Sequence, residues 1–167
     1  MTAPCFVDAS VFLRARDPRD PARQTRAAEW IDWLWQQRAG RTSVQVLAEF
    51  HAAATRQLQL DPDLSWDEVK RYLAWTPLPT DEALLRGARE IERRYKLSWW
   101  DSMAVAAAHL QDCVILASED LQDGMTFGAL KVRNPFTAVL EEPAAEYLVR
   151  ATALHRPRGR PRRLTAA

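Results

Sequence analysis

The stretch that most restricts what this chain can become is Cys113-Val114-Ile115-Leu116-Ala117, five apolar residues with polar residues on either side. A run this short, apolar throughout and partly β-branched, reads as a strand buried on both faces, the kind found in sheets covered by helices. The chain has the helices. Ser98 caps an alanine-rich one from Trp99 to about Leu110. Proline at the first helical position opens another from about Pro21 to Gln37, with Gly40 as its stop. Leu47, Phe50, Ala54 and Leu58 recur at helical spacing, Ser65-Trp66-Asp67-Glu68 has the form of a capping box for a helix to about Trp75, and Thr80 caps one to about Lys96. A final helix is expected over Pro143 to Arg150. Cys5-Phe6-Val7 reads as a second buried strand ending near Asp8, Arg41 to Val44 and Leu130 to Val132 as short strands, and Thr76-Pro77-Leu78 as an edge strand at most. Strands separated by helices predict an α/β fold with a mainly parallel sheet.

One domain accounts for 167 residues, and 47% hydrophobic residues are enough for a sizeable core. No run approaches the roughly 18 apolar residues of a membrane span, and Asp8 cuts short Cys5-Phe6-Val7 with no basic region before it, which argues against a signal peptide. Cys5 and Cys113 match neither a disulfide framework nor a zinc pattern and are expected to be reduced core residues of a cytoplasmic protein. The net charge of +1 hides an asymmetry. Six of the 23 basic residues lie at or after Arg150 and all 22 acids lie before it, so residues 1–149 carry −5 and residues 150–167 carry +6. This divides the chain into a domain over residues 1–150 and a basic tail over residues 151–167. The prolines and glycine of Arg156-Pro157-Arg158-Gly159-Arg160-Pro161-Arg162-Arg163 oppose a helix, so the tail is expected to be disordered when free.

In open α/β sheets ligands bind beyond the carboxyl ends of the strands. The first strand ends at Asp8, and the best-defined one runs into Ser118-Glu119-Asp120-Leu121-Gln122-Asp123-Gly124. Carboxylates gathered there repel one another unless a proton or a cation intervenes, and hard oxygen ligands favour Mg²⁺ or Mn²⁺. Each acid also has a plain structural reading: Asp8 as a helix N-cap, Asp101 as the acidic partner of Ser98 in a capping box, Glu49 as a solvated helix residue, Asp120 and Asp123 as turn residues. No HExxH pair, Gly-rich phosphate loop or nucleophile elbow is present, and His51 is expected to be a half-buried structural residue.

Phe6-Val7-Asp8-Ala9-Ser10, Leu47-Ala48-Glu49-Phe50, Leu97-Ser98-Trp99-Trp100-Asp101-Ser102-Met103-Ala104 and Leu116-Ala117-Ser118-Glu119-Asp120-Leu121-Gln122-Asp123-Gly124 resemble, in order, the acidic motifs of the PIN-domain ribonucleases. The third and fourth are similar to those of the VapC toxins of bacterial toxin–antitoxin pairs, and the resemblance spans about residues 5–136. It implies a three-layer α/β/α sandwich with a mainly parallel central sheet. It implies a metal-dependent endoribonuclease in which Asp8, Glu49, Asp101 and Asp120 hold Mg²⁺ or Mn²⁺, with Asp123 as a further ligand and Ser10 as a nearby polar group. It also implies an RNA substrate, a homodimer, and a cognate antitoxin that silences the enzyme. Trp30, Trp33 and Trp35 cannot all face one core, so at least one is expected to be partly exposed, which suits a groove for that partner's helix.

Two rival readings stand beside this one. The carboxylates could be structural in a non-catalytic α/β module that docks on nucleic acid through its basic tail. A metal-dependent phosphatase is the other, although Asp8-Ala9-Ser10 lacks the second Asp of the haloacid-dehalogenase type. The tail generates a test of its own, since each phosphate contact on a single strand contributes about −0.7 to the slope of log K against log[salt]. Deleting residues 156–167 is expected to weaken RNA binding at low salt and flatten that slope by about 2 to 3, with turnover at saturating RNA nearly unchanged. Identical slopes would show that the tail does not bind RNA.

Overall fold

Three residues of strand followed at once by a helix put Asp8 at a chain reversal, and the rest of the architecture fixes what surrounds it. The computed structural model describes residues 3–137. In chain order the elements are β1 (Cys5–Val7), α1 (Ala9–Arg14), α2 (Pro21–Gln37), β2 (Gly40–Arg41), α3 (Val44–Gln57), α4 (Pro62–Tyr72) with a 3₁₀ turn at Leu73–Trp75, α5 (Glu82–Tyr95), α6 (Trp99–Leu110), β3 (Ile115–Ala117), β4 (Thr126–Phe127) and β5 (Leu130–Arg133). The sheet order is β2-β1-β3-β5-β4, with every pair parallel except β4 and β5. A five-stranded, mainly parallel sheet among helices is the expected three-layer α/β/α sandwich. The expected helix at Pro143 to Arg150 and the basic tail lie outside the described residues. Among the described residues no helix is long and apolar enough to cross a membrane.

The register follows from burial. Cys5, Phe6 and Val7 pair with Ile115, Leu116 and Ala117, and all six are buried, so a slip of one residue would turn this apolar set off its face. Phe12 of α1 joins the helical layer, with its ring 4.4 Å from that of Tyr72, 6.0 Å from Trp75 and 6.1 Å from Phe50. Trp35 of α2 lies against Trp75 at 5.2 Å, so α1, α2, α3 and the end of α4 meet in one aromatic cluster. Trp30 is buried, Trp33 and Trp35 are half-buried, and all three pack on the core. The partial exposure read from their spacing therefore falls on Trp33 and Trp35. The apolar surface exposed at Val44, Trp66 and Leu73 lies elsewhere, on α3, α4 and the 3₁₀ turn.

Several boundaries differ from expectation, each for a local reason. Ser65 does not cap α4. Asp61 does, accepting from the Asp63 and Leu64 N–H groups at 2.9 and 3.3 Å, with Pro62 at the first helical position, and Ser65 is buried inside the helix. Asp81 rather than Thr80 caps α5. β3 starts at Ile115, because the Cys113 N–H is still bonded to the Ala108 carbonyl as the chain leaves α6. Thr76-Pro77-Leu78 forms one isolated bridge between Leu78 and Ser43. β4 was not legible, although Gly128 at φ +64° begins the two-residue loop of its hairpin with β5. Cys5 and Cys113 are free and buried, as expected of reduced core thiols.

Gly40 does not end α2. Arg38, in the left-handed conformation, caps that helix, and Gly40 instead opens β2 beneath the buried Trp75. A Cβ at position 40 would lie 2.5 Å from two indole carbons. The ring is wedged among Phe12, Trp35 and Tyr72 and cannot yield without moving them. Gly40→Ala is expected to cost about 1 to 3 kcal/mol of stability, measured by denaturant unfolding. An unchanged midpoint would show that the cluster yields.

Candidate active site

Parallel pairing aligns the carboxyl ends of β1 and β3, and the residue after each strand falls at the same edge of the sheet. After β1 comes Asp8, whose N–H bonds the Ala117 carbonyl at 3.0 Å. After β3 comes Ser118, whose Oγ donates to Asp8 Oδ2 at 2.8 Å. Asp8 Oδ1 accepts from the Ala9 N–H at 2.8 Å, and Ser10 Oγ reaches Oδ2 at 3.5 Å. Asp8 does occupy the N-cap position of α1. Its carboxylate, however, bonds the first helical N–H and a neighbouring strand's serine rather than the second or third N–H that a capping side chain normally takes.

The other three acids arrive on separate elements. Asp101 sits in the first turn of α6, where Ser98 Oγ accepts the Asp101 N–H at 3.1 Å and donates to Asp101 Oδ2 at 2.6 Å. Ser98 therefore caps α6 as read from the sequence, and its hydroxyl, rather than the backbone N–H of a full capping box, holds the Asp101 carboxylate. Glu49 is half-buried on α3, held by Gln45 Nε2 at 2.7 Å. Asp120 follows β3, and its N–H bonds Ser118 Oγ at 3.1 Å, so one serine hydroxyl serves both Asp8 and the backbone of Asp120.

These carboxylates repel one another. Burial pushes Asp8 up to about 6, against the lowering effect of the Ser118 and Ala9 bonds, and the charges of Asp120 and Glu49 add to the rise. Glu49 is raised by burial and by Asp101 and Asp120, with the Gln45 bond opposing. Asp120 is raised by burial and by Glu119 and Asp101, while Arg14 draws it down. Glu49 and Asp120 line a cleft of about 380 Å³ together with Ser10, Arg14, Asp17 and Arg19. The donor chemistry, carboxylates alone with partly buried and mutually raised acids, suits a hard divalent cation. Among the described residues no three His, Cys, Asp or Glu side chains are gathered closely enough to grip an ion as they stand.

Asp123 has a different place. Its carboxylate accepts from the Asn134 N–H at 2.8 Å and from Arg133 Nη1 at 3.4 Å, tying the loop after β3 to the end of β5. His51 is half-buried, with Nδ1 2.9 Å from Ser65 Oγ on α4. Two features escaped the sequence reading. Ser118 could have been found as the residue following Ala117, the register partner of Val7. The ion-pair network of Arg14, Asp17, Arg19, Arg23 and Glu119 leaves no signal, since its members lie up to 105 positions apart.

A family model described as the PIN domain matches residues 5–122. Among solved structures, the Mycobacterium tuberculosis VapC20 toxin, titled as cleaving the sarcin–ricin loop, aligns with a TM-score of 0.52 and 19% identity, covering 67% of this chain and 86% of that one. At that identity the likeness speaks for the fold. No curated protein matches the sequence.

Asp8 is the acid whose burial is least compensated. Its carboxyl holds a proton more tightly in the folded chain than in the unfolded one, so the stability it contributes is complete below about 3.8 and is lost as pH rises through about 6. Asp8→Asn removes that loss. With EDTA present it is expected to be more stable than the unaltered chain by about 2 to 3 kcal/mol at pH 7.5, the gain fading toward pH 4 in denaturant titrations. A variant less stable than the parent at pH 7.5 would contradict this electrostatic account.

Proposed function

Because this chain belongs to the PIN-domain family, we propose that it is a metal-dependent endoribonuclease, the toxin of a toxin–antitoxin pair, working on RNA in the cytoplasm. The family is one of nucleases. The observation that supports the reading is that Asp8, Glu49 and Asp120, on three separate segments, are each raised first by burial and then by neighbouring acids, with Asp101 acting on Glu49 and Asp120. The Ser98 bonds account for the placing of Asp101, and the Ala9 N–H for part of that of Asp8. Neither explains why a fold would bury Asp8 and half-bury Glu49 near further negative charge, at a cost that a proton or a cation would offset.

Asp8, Glu49, Asp101 and Asp120 are the residues that would hold Mg²⁺ or Mn²⁺. When bound, such a cation makes hydroxide available from water near neutral pH and offsets charge developing on the phosphate and the leaving oxygen. The protein's part is positioning. Ser118 fixes Asp8 and, through the Asp120 N–H, the start of the acidic loop. Ser98 fixes Asp101, and Gln45 fixes Glu49. Partners of this kind orient ligands before the ion arrives. Asp123, committed to Arg133 and Asn134, is assigned the closing of the loop instead.

An antitoxin, a homodimer and an RNA target come with the toxin reading, and the sarcin–ricin loop named for VapC20 is the first RNA to try. The rival module that only docks on nucleic acid gives no reason for the repelling acids. Incubated with total cellular RNA and Mn²⁺ or Mg²⁺, the protein is expected to produce discrete cuts, abolished by EDTA and reduced at least a hundredfold by Asp8→Asn or Asp101→Asn with the fold retained. Undiminished cleavage by both variants, or full activity in EDTA, would overturn the assignment.

A further inference from the structure

The cleft that holds Glu49 and Asp120 also holds two guanidinium groups, and these are unusually well fixed for arginines at an open surface. Arg14 ends α1, and Arg19 lies on the turn into α2. Arg19 meets the buried Asp17 as a fork, Nε to Oδ1 at 2.7 Å and Nη2 to Oδ2 at 2.8 Å, and the Arg19 N–H bonds the same Oδ1 at 3.1 Å. Arg14 Nε donates to Glu119 Oε1 at 2.7 Å and its Nη1 to Asp17 Oδ2 at 3.4 Å, while Glu119 Oε2 takes Arg23 Nη1 at 3.0 Å. Glu119 directly precedes Asp120, so Arg14 is tied to the segment that carries Asp120, and Arg19 is linked to it only through Asp17 and Arg14.

The arginines offset the charges of Asp17, which is buried, and Glu119, whose side chain is 15% exposed, and the same pairing also acts outward. Its physical effect is on the arginine. A guanidinium held at one edge meets an anion with less side-chain entropy left to lose, and its free edge has the planar geometry that suits phosphate. Arg19 fits this description: its side chain is 67% exposed, and Nη1 has no protein partner among the described residues. The rest of the cleft repels a polyanion, and the body as a whole carries −5.

We propose that Arg19, steadied by Asp17 and backed by Arg14, binds a backbone phosphate of the RNA beside the cleaved linkage and so sets how the strand enters the acidic site. This deepens the nuclease reading and rests on it. Arg19 is a binding and positioning residue, and its loss acts on affinity rather than on the chemical step.

The test uses the full chain carrying Asp101→Asn, so that RNA is bound without being cut, and a labelled 20-nucleotide single-stranded RNA of randomised sequence. Adding Arg19→Ala is expected to weaken binding about fivefold to tenfold at low salt and to make the slope of log K against log[salt] shallower by about 0.7, one phosphate contact. Arg19→Lys keeps the charge without the fork and is expected to restore the slope but only part of the affinity. Arg86→Ala, removing an exposed arginine of α5 outside the cleft, is expected to change neither. With Asp101 intact, Arg19→Ala is expected to slow cleavage of total cellular RNA at limiting RNA by the same factor and to leave the rate at saturation within twofold. Equal affinity and slope for the Arg19→Ala and Arg86→Ala chains, or a rate lost equally at limiting and saturating RNA, would overturn the assignment. If cleavage depends on Asp101 and those results are found, the arginine proposal alone falls. If the unaltered chain cuts nothing with either metal, the nuclease reading falls and takes the proposal with it.

Discussion

The parallel pairing of Val7 with Ala117 is the constraint on which the rest of this structure depends. It puts the residues after two adjacent strands side by side, so that Asp8 meets Ser118 and the chain carrying Asp120 starts from the same edge. Strand direction gives this edge its chemistry: in a parallel sheet both chains leave at the same end, and each exit provides a side chain and free backbone groups. A single-residue slip would bury Asp8 in the apolar layer, without the Ser118 hydroxyl. The buried apolar residues of β1 and β3 therefore do two jobs at once, filling the core and setting the register of the acids.

How far the sequence revealed this differs between the parts. α2 and α6 were legible to the residue because their caps are local: Pro21 at the start of one and Ser98 before the other need only their neighbours. α4 was misread because two capping signals lie four residues apart. The Asp61-Pro62 pair satisfies the free N–H groups and fixes the first backbone angle, whereas Ser65 finds its partner in His51, which only the tertiary structure supplies. The helix ends at Gln37 and Tyr95 were read to within a residue, but the stop was assigned to Gly40 where Arg38 takes the left-handed cap. Of the site, Asp8, Glu49, Asp101 and Asp120 were visible through the resemblance of their motifs to a family. Their mutual charge effects were not visible, since these depend on burial and separation. The arginine network was hidden altogether.

The charge distribution gives the molecule its functional logic. Acids that attract a cation would repel the polyanion on which that cation acts. The fold sets fixed arginines in the same cleft, and the sequence adds a basic tail. Asp17 holds both arginines, and Glu119 joins Arg14 to the acidic loop. Asp120 and Glu119, the partner of Arg14, thus share a short stretch of chain, residues 117–120, that leaves the sheet at the edge set by the β1–β3 register.

The central claim is that the four carboxylates close on a shared divalent cation. Crystals of the protein grown with Mn²⁺ test it most directly, through the anomalous difference density of the metal. The account predicts a peak at the carboxyl edge of the sheet, within bonding distance of Asp8 and of at least one of Glu49, Asp101 and Asp120. A protein that cuts RNA with Mn²⁺ but binds the ion elsewhere would contradict it.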